Sequence, residues 1–184
     1  DSRSIASETI EKFKTSAIEK GGFYIGRYEQ GEGNVIKKNV APYVNLTINN
    51  AKTQAEAIDR GGNYAESQLI SSYAWDTALN YICQTNSEGY TLATTTSSSY
   101  GNIGTGSSEG TNTGMYEKDN YSNIHDILGN VYEFTTEYAD DFRTSSVQRG
   151  GGYNANSYYA ATRKIPSTLA GNNSLGFRTQ LYIK

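Results

Sequence analysis

The sequence predicts an α+β domain. Apolar residues recur mostly at helical spacing early in the chain and at strand spacing late, and there is no internal repeat. Helices first and strands afterwards argue against alternating βαβ units. With 184 residues the chain is long enough for one core, read as a helical arm over 1–20 and a folded domain over 21–184.

The first helix is read in "SIASETIEKFKTSAIEKGG". Ile10, Phe13, Ala17 and Ile18 share one face, Glu8 and Glu11 suit the N-terminal end of the dipole, and Gly21-Gly22 stop it. "FYIGRYE" then alternates as a strand, and "YVNLTI" is a second short alternating segment. "NNAKTQAEAIDRGG" reads as a helix capped by Asn50, with Gly61-Gly62 as its exit. "SSYAWDTALNYI" reads as another, with Trp75, Leu79 and Ile82 on its core face. From Asn86 to about Asn123 the periodicity disappears, and so long a loop in one domain points to function. Structure resumes in "NIHDILGNVYEFTTEY", "VQRGGGY" and "LGFRTQLYI".

Composition narrows the function. Apolar residues make up 36%, below the globular norm, yet 16 tyrosines raise the aromatic share to 12%, which suits a folded domain with a broad contact face. A net charge of -3 and a pI near 5.2 argue against a nucleic-acid partner. No apolar run reaches membrane-spanning length. The single cysteine excludes an internal disulfide, and the start at Asp1 is read as part of a larger polypeptide. Sequons at Asn45 and Asn120 matter only in a glycosylating host.

The motif order then carries a family likeness. "GGFYIGRYE", "AWDTALNYI", "NIHDILGNVYEFTTE", "VQRGGGYN", Arg163 and "LGFR" follow one another over residues 21–184. This resembles the formylglycine-generating-enzyme-like group of C-type-lectin-type folds. Three positions depart from the family pattern: Tyr132 stands where Trp is usual, and Gly152-Tyr153 where Ser-Trp is usual. The resemblance implies a mixed fold with paired first and last strands and a ligand-carrying loop region. "FYIGRYE" and "LGFRTQLYI" both alternate, as such a pair requires.

The enzymes of that group oxidise a substrate cysteine with a pair of cysteines near the C-terminus. Here the matching stretch is "NSYYAATR", without cysteine, and the lone thiol is Cys83, read as a small buried apolar residue. His125-Asp126 is read as a structural hydrogen bond, a His-rich metal site is excluded by number, and Glu137 with Asp140-Asp141 is read as a solvated acidic turn. "GNIGTG" lacks the lysine and context of a phosphate cradle. The resemblance also implies a calcium ion at Gly129, Asn130, Val131 and Glu133, with Asn130 and Glu133 as side-chain ligands. No other cofactor is expected.

"RGGGYNANSYYAATR" is read as the binding face, with Tyr153, Asn154, Asn156, Ser157, Tyr158 and Tyr159 as contact residues. Tyr gives large contact area at low entropic cost, while Asn and Ser adapt their hydrogen bonds. Within the same fold group stand the variable proteins of diversity-generating retroelements, rewritten at template adenines. Asn, Tyr, Ser and Ala are all reachable from an AAC codon, and positions 153–159 hold only these four. The expectation is a non-catalytic domain of a phage tail or bacterial surface protein that recognises a protein or glycan on another surface. The alternatives are an oxidase or assembly factor of the family and a purely structural tail or spike module. Arg149, Arg163 and Arg178 are expected to brace the scaffold, with Trp75 in the core.

Overall fold

The last strand lies along the first, as the alternation predicts. Phe23–Ile25 (β1) pairs antiparallel with Thr179–Ile183 (β8), in the register Phe23 to Tyr182 and Ile25 to Gln180. The computed structural model describes residues 7–58, 62–96, 98–103, 109–139, 145–155, 157–166 and 169–184. Ala65–Leu69 (β2) covers the other edge of β8, giving the order β1-β8-β2. A second sheet has the order β6-β5-β7: Ser146–Arg149 (β6) is antiparallel to Tyr132–Tyr138 (β5), and Leu175–Phe177 (β7) is parallel to it. A small hairpin, Asn120–Tyr121 (β3) with Ile124–His125 (β4), completes the strands of the described residues.

Ser7–Lys14 (α1) runs on as a π-helical turn over Thr15–Glu19. This arm is stitched to the first sheet. Ser16 Oγ accepts from the Ile183 amide at 2.8 Å, Lys12 pairs with Glu66, and Phe13 packs on Phe23 with ring centroids 5.2 Å apart. Ile48–Glu56 (α2) starts before the expected cap. Thr47, not Asn50, is the N-cap, its hydroxyl accepting from the Asn50 amide at 3.3 Å. "YVNLTI" forms no strand, because Asn45 takes a left-handed φ of 61° and Thr47–Ile48 are drawn into the cap and first turn. Ser72–Thr85 (α3) buries Trp75, Leu79 and Ile82 as predicted, with Ser71 as cap. A further helix, Gly89–Thr94 (α4), interrupts the stretch expected to be loop. It lies so close to α3 that a Cβ on Gly89 would overlap the backbone of Ile82 and Cys83.

The strand expected over "LGFRTQLYI" is broken at Arg178, between β7 in one sheet and β8 in the other. The Arg178 side chain is fully buried and joins the layers. It donates to both Glu133 oxygens on β5 at 2.7 to 3.1 Å, to the Gly26 carbonyl just after β1 at 2.8 Å, and to the His125 carbonyl on β4 at 2.8 Å. Three more carboxylates are buried here: Glu29, Asp119 and Asp126. Glu29 accepts from Asn130 Nδ2 at 2.5 Å and the Val131 amide at 3.1 Å. Asp126 accepts from the Gly114 amide at 2.6 Å, and Asp119 from the Leu128 amide at 3.3 Å. One guanidinium cannot neutralise four carboxylates, and burial pushes Glu29 and Asp119 well up and Asp126 up to about 6.

Two outcomes follow from this cluster. Arg178→Met should destabilise the domain by about 3–5 kcal/mol at pH 8, read as a lower urea midpoint, because carboxylates are left buried without their cation. Asp126 holds its proton longer in the folded state than in the unfolded chain. Its contribution is therefore complete below the ordinary aspartate value and lost as pH rises through about 6. The difference corresponds to about 3 kcal/mol. Wild type should lose stability between pH 4 and about 7 relative to Asp126→Asn, and parallel curves for the two proteins would refute the assignment.

Candidate functional site

The stretch from Arg149 to Lys164 is a long loop held to the framework at both ends and in its middle. At its start the Gly150 carbonyl accepts from the Gly129 amide, and the Tyr153 amide donates to the Asn130 carbonyl, each at 2.8 Å. At its end Lys164 and Gln148 exchange backbone hydrogen bonds of 2.8 and 2.9 Å. In the middle Trp75 Nε1 donates to the Ala160 carbonyl at 3.2 Å. Gly129, with φ of 100°, lets the turn form where a Cβ would overlap the Asn102 carbonyl.

The three arginines brace this platform as expected. Arg149 is buried over the Trp75 ring and bonds Asp76 on α3. Arg163 donates to the same carboxylate at 2.6 Å and to Glu137 on β5 at 3.2 Å. Arg178 anchors Glu133, which is paired with Arg149 in the β5–β6 register. Asp76 is the partner that sequence reading missed. Its place on α3 between core positions Trp75 and Leu79 marks a helix-edge acid, but nothing local pairs it with residues 73 and 87 positions away.

The expected contact residues divide. Asn154 and Ser157 are exposed, and no side-chain hydrogen bond ties either to the described residues. Tyr159 is exposed by 41%. Tyr158 is half-buried, its ring edge-on to Tyr132 with centroids 5.7 Å apart. Tyr153 is turned inward, only 2% exposed, and is corrected from contact surface to wall. It lines a 190 Å³ cavity with Val131, Pro42, Gly110, Glu109 and Asn173. Its preceding glycines direct the chain inward, and Val131 and Gly110 receive the ring. Asn156 lies outside the described residues, as do Asp140 and Asp141. Glu137 belongs to the Arg163 pair, not to a solvated turn.

Lys164 was not among the expected residues. Its ammonium sits 3.6 Å above the Tyr132 ring and 5.4 Å from that of Tyr158, and burial lowers its pKa.

The calcium expectation can be weighed on the donor set. Asn130 Oδ1 accepts from the Thr111 amide at 2.8 Å, Asn102 Nδ2 at 3.1 Å and Thr111 Oγ1 at 3.3 Å. Both Glu133 oxygens are chelated by Arg178. A hard cation needs these lone pairs and would have to displace a guanidinium, so Asn130 and Glu133 do not fit one as arranged. Among the described residues no three His, Cys, Asp or Glu side chains cluster to hold a metal.

The other reactive groups are accounted for structurally. His125 stacks on Tyr28 with centroids 4.7 Å apart, its Nδ1 has no hydrogen-bond partner, and burial lowers its pKa. The expected His125–Asp126 hydrogen bond is replaced by the Asp126–Gly114 one, because Asp126 has a left-handed φ of 58°. Cys83 is half-buried, donates to the Gly89 carbonyl at 3.4 Å, and has its thiol pKa raised by burial, against thiolate formation.

Comparison with known proteins agrees with this architecture. The model of the sulfatase-modifying factor enzyme 1-like domain matches residues 27–182. No curated protein matches the chain in sequence. Among solved structures, CarF is 17% identical with a TM-score of 0.56, over 96% of this chain and 83% of that one. Treponema denticola variable protein 1 is 20% identical with a TM-score of 0.44, over 64% of this chain, which spans about half (48%) of that protein's length. The fold is the formylglycine-generating-enzyme-like, C-type-lectin-type one, and the chain belongs to the family of sulfatase-modifying factor enzyme 1-like domains.

Proposed function

We propose that this chain is a non-catalytic ligand-binding domain whose exposed Asn154, Ser157 and Tyr159 recognise a protein or glycan on another surface. One observation carries the reading. The loop is held by backbone bonds and by Trp75 and the arginines, while Asn154, Ser157 and Tyr159 face solvent without holding anything in place. Side chains at such positions can change with little cost to the fold, usually within about 0.5 kcal/mol each. This is what a rewritable recognition surface requires, and all three residues lie within reach of an AAC codon. The domain is read as the variable protein of a diversity-generating retroelement, displayed on a phage tail or bacterial surface.

Resequencing the locus across isolates tests the variability, with changes expected at 154, 157 and 159 and not at Trp75, Arg149 or Arg178. Substitutions scattered evenly along the chain would refute it. Alanine at 154, 157 and 159 together should leave the melting curve nearly unchanged and abolish retention of host-surface material.

The lone, partly buried Cys83 supports the absence of cysteine oxidation, since a dithiol couple needs two thiols. A cysteine-peptide substrate should show no turnover with or without copper. Turnover would favour the oxidase reading.

A further inference from the structure

Lys164 occupies an unusual position on this platform. Its main chain is fixed by the backbone pair with Gln148, and its ammonium is placed over the rings of two tyrosines, 3.6 Å from the centre of Tyr132 and 5.4 Å from that of Tyr158. Tyr132 is itself buried, so the ammonium is not on a freely moving arm. Ring faces attract a cation but accept its N–H groups poorly, so the three donors lack carboxylate or carbonyl partners among the described residues. The neighbouring acids do not supply the counterion, because Asp76 is held by Arg149 and Arg163, and Glu137 by Arg163. Arg163 is in turn occupied by those acids, and Arg149, although its Nε and Nη1 lack partners among the described residues, is buried out of reach. Lys164 thus stands as a pre-positioned, partly desolvated cation beside the displayed residues.

We infer that Lys164 is the specificity-determining residue of this surface and engages an Asp or Glu side-chain carboxylate on a protein partner. This rests on the ligand-binding reading above and gives it a partner chemistry. Two features favour a carboxylate. Its paired oxygens can take the unpartnered ammonium donors, and the aromatic walls hold the charge where a partner would exclude water, so the pair gains strength on binding. Two features favour a protein over an acidic sugar. Tyr159 and the exposed Ile165, which follows Lys164 in the chain, offer apolar contact for side chains around the acid. The Asn and Ser positions offer adaptable hydrogen bonds of the antibody kind. The cation–π seating also spares part of the entropy normally lost when a lysine is immobilised.

The test selects binders from a random linear-peptide display library on the wild-type domain. Selected peptides should be enriched in Asp or Glu over the input library. Lys164→Met, which keeps the apolar stem, should weaken them by about tenfold, as should replacing the peptide's acid by its amide. The two changes together should be no worse than either alone, which identifies the pair directly. The amide-substituted peptide uses the unaltered domain, so the test stands even if Lys164→Met fails to fold. Selected peptides without acidic enrichment, or additive losses in the double change, overturn the role of Lys164 and leave the binding reading intact. Saturable binding of free N-acetylneuraminic acid that Lys164→Met abolishes overturns the protein partner in favour of a sugar acid. Failure to select any peptide whose binding Ala at 154, 157 and 159 removes overturns this inference and the binding reading together.

Discussion

The structure depends on the place where Arg178 sits. The chain leaves one sheet as β7 and enters the other as β8 with a single residue between them, and that residue sends its side chain inward. Burying a guanidinium is costly unless its donors are satisfied, and for Arg178 the partners come from the β1 end, the β4 hairpin and β5. The sheets do not merely touch; they share one ion pair whose loss exposes every layer to an unpaired charge. The same ion pair fixes Glu133, and with it the start of β5. The turn at Gly129 to Val131 is held from the other side by Glu29. The 149–164 loop hangs from that turn, since Gly129 and Asn130 make its first two backbone bonds.

Long-range partnerships explain most of what sequence reading could and could not deliver. The pairing of first and last strands was legible because both alternate strongly and because their family motifs bracket the chain. The core face of α3 was legible for the same reason of period. Ala65–Leu69 was not, although it alternates with Ala65, Ser67 and Leu69 inward, because small and polar buried residues leave no hydrophobic signal. The break at Arg178 was hidden because a strand period continues through it on both sides. Glu29 and Asp76 were hidden for another reason: each finds its partners 73 to 102 residues away, and a single sequence contains no trace of such pairings. Of the expected contact residues, Asn154, Ser157 and Tyr159 face water, as their polar or amphipathic side chains suit. The inward turn of Tyr153 depends on three successive glycines and on a pocket wall supplied by distant segments.

The backbone groups that hold this loop and the Asn154, Ser157 and Tyr159 side chains that it exposes are therefore different atoms. Its carbonyls and amides bond to β6, Trp75 and the Gly129 turn, and the arginines anchor the framework beneath it. The side chains of Asn154, Ser157 and Tyr159 take no part in that work. This division explains how a domain with a modest apolar fraction can present so many phenol and amide groups without losing its fold. Tyrosine serves both tasks, as Tyr153 and Tyr132 are walled in while Tyr159 is displayed.

Two of the three departures from the family pattern, Tyr132 and Gly152, belong to one contact. A Cβ at position 152 would stand 2.9 Å from Tyr132 Cε2, so a glycine there is what lets the Tyr132 ring lie against the loop. That ring in turn carries Tyr158 on its edge and Lys164 on its face. Serine at 152 would push the ring away, and the larger indole usual at 132 would fill the same space differently. The substitutions at 132 and 152 are thus coupled through packing and not two independent losses of a motif. Together they leave the Tyr132 ring as a seat for the Lys164 ammonium. The motifs whose side chains hold the sheets and the turn, at Asn130, Glu133 and Arg178, are kept. Gly152 and Tyr132 thus shape the contact that Lys164 meets, while the Arg178–Glu133 ion pair holds the sheets.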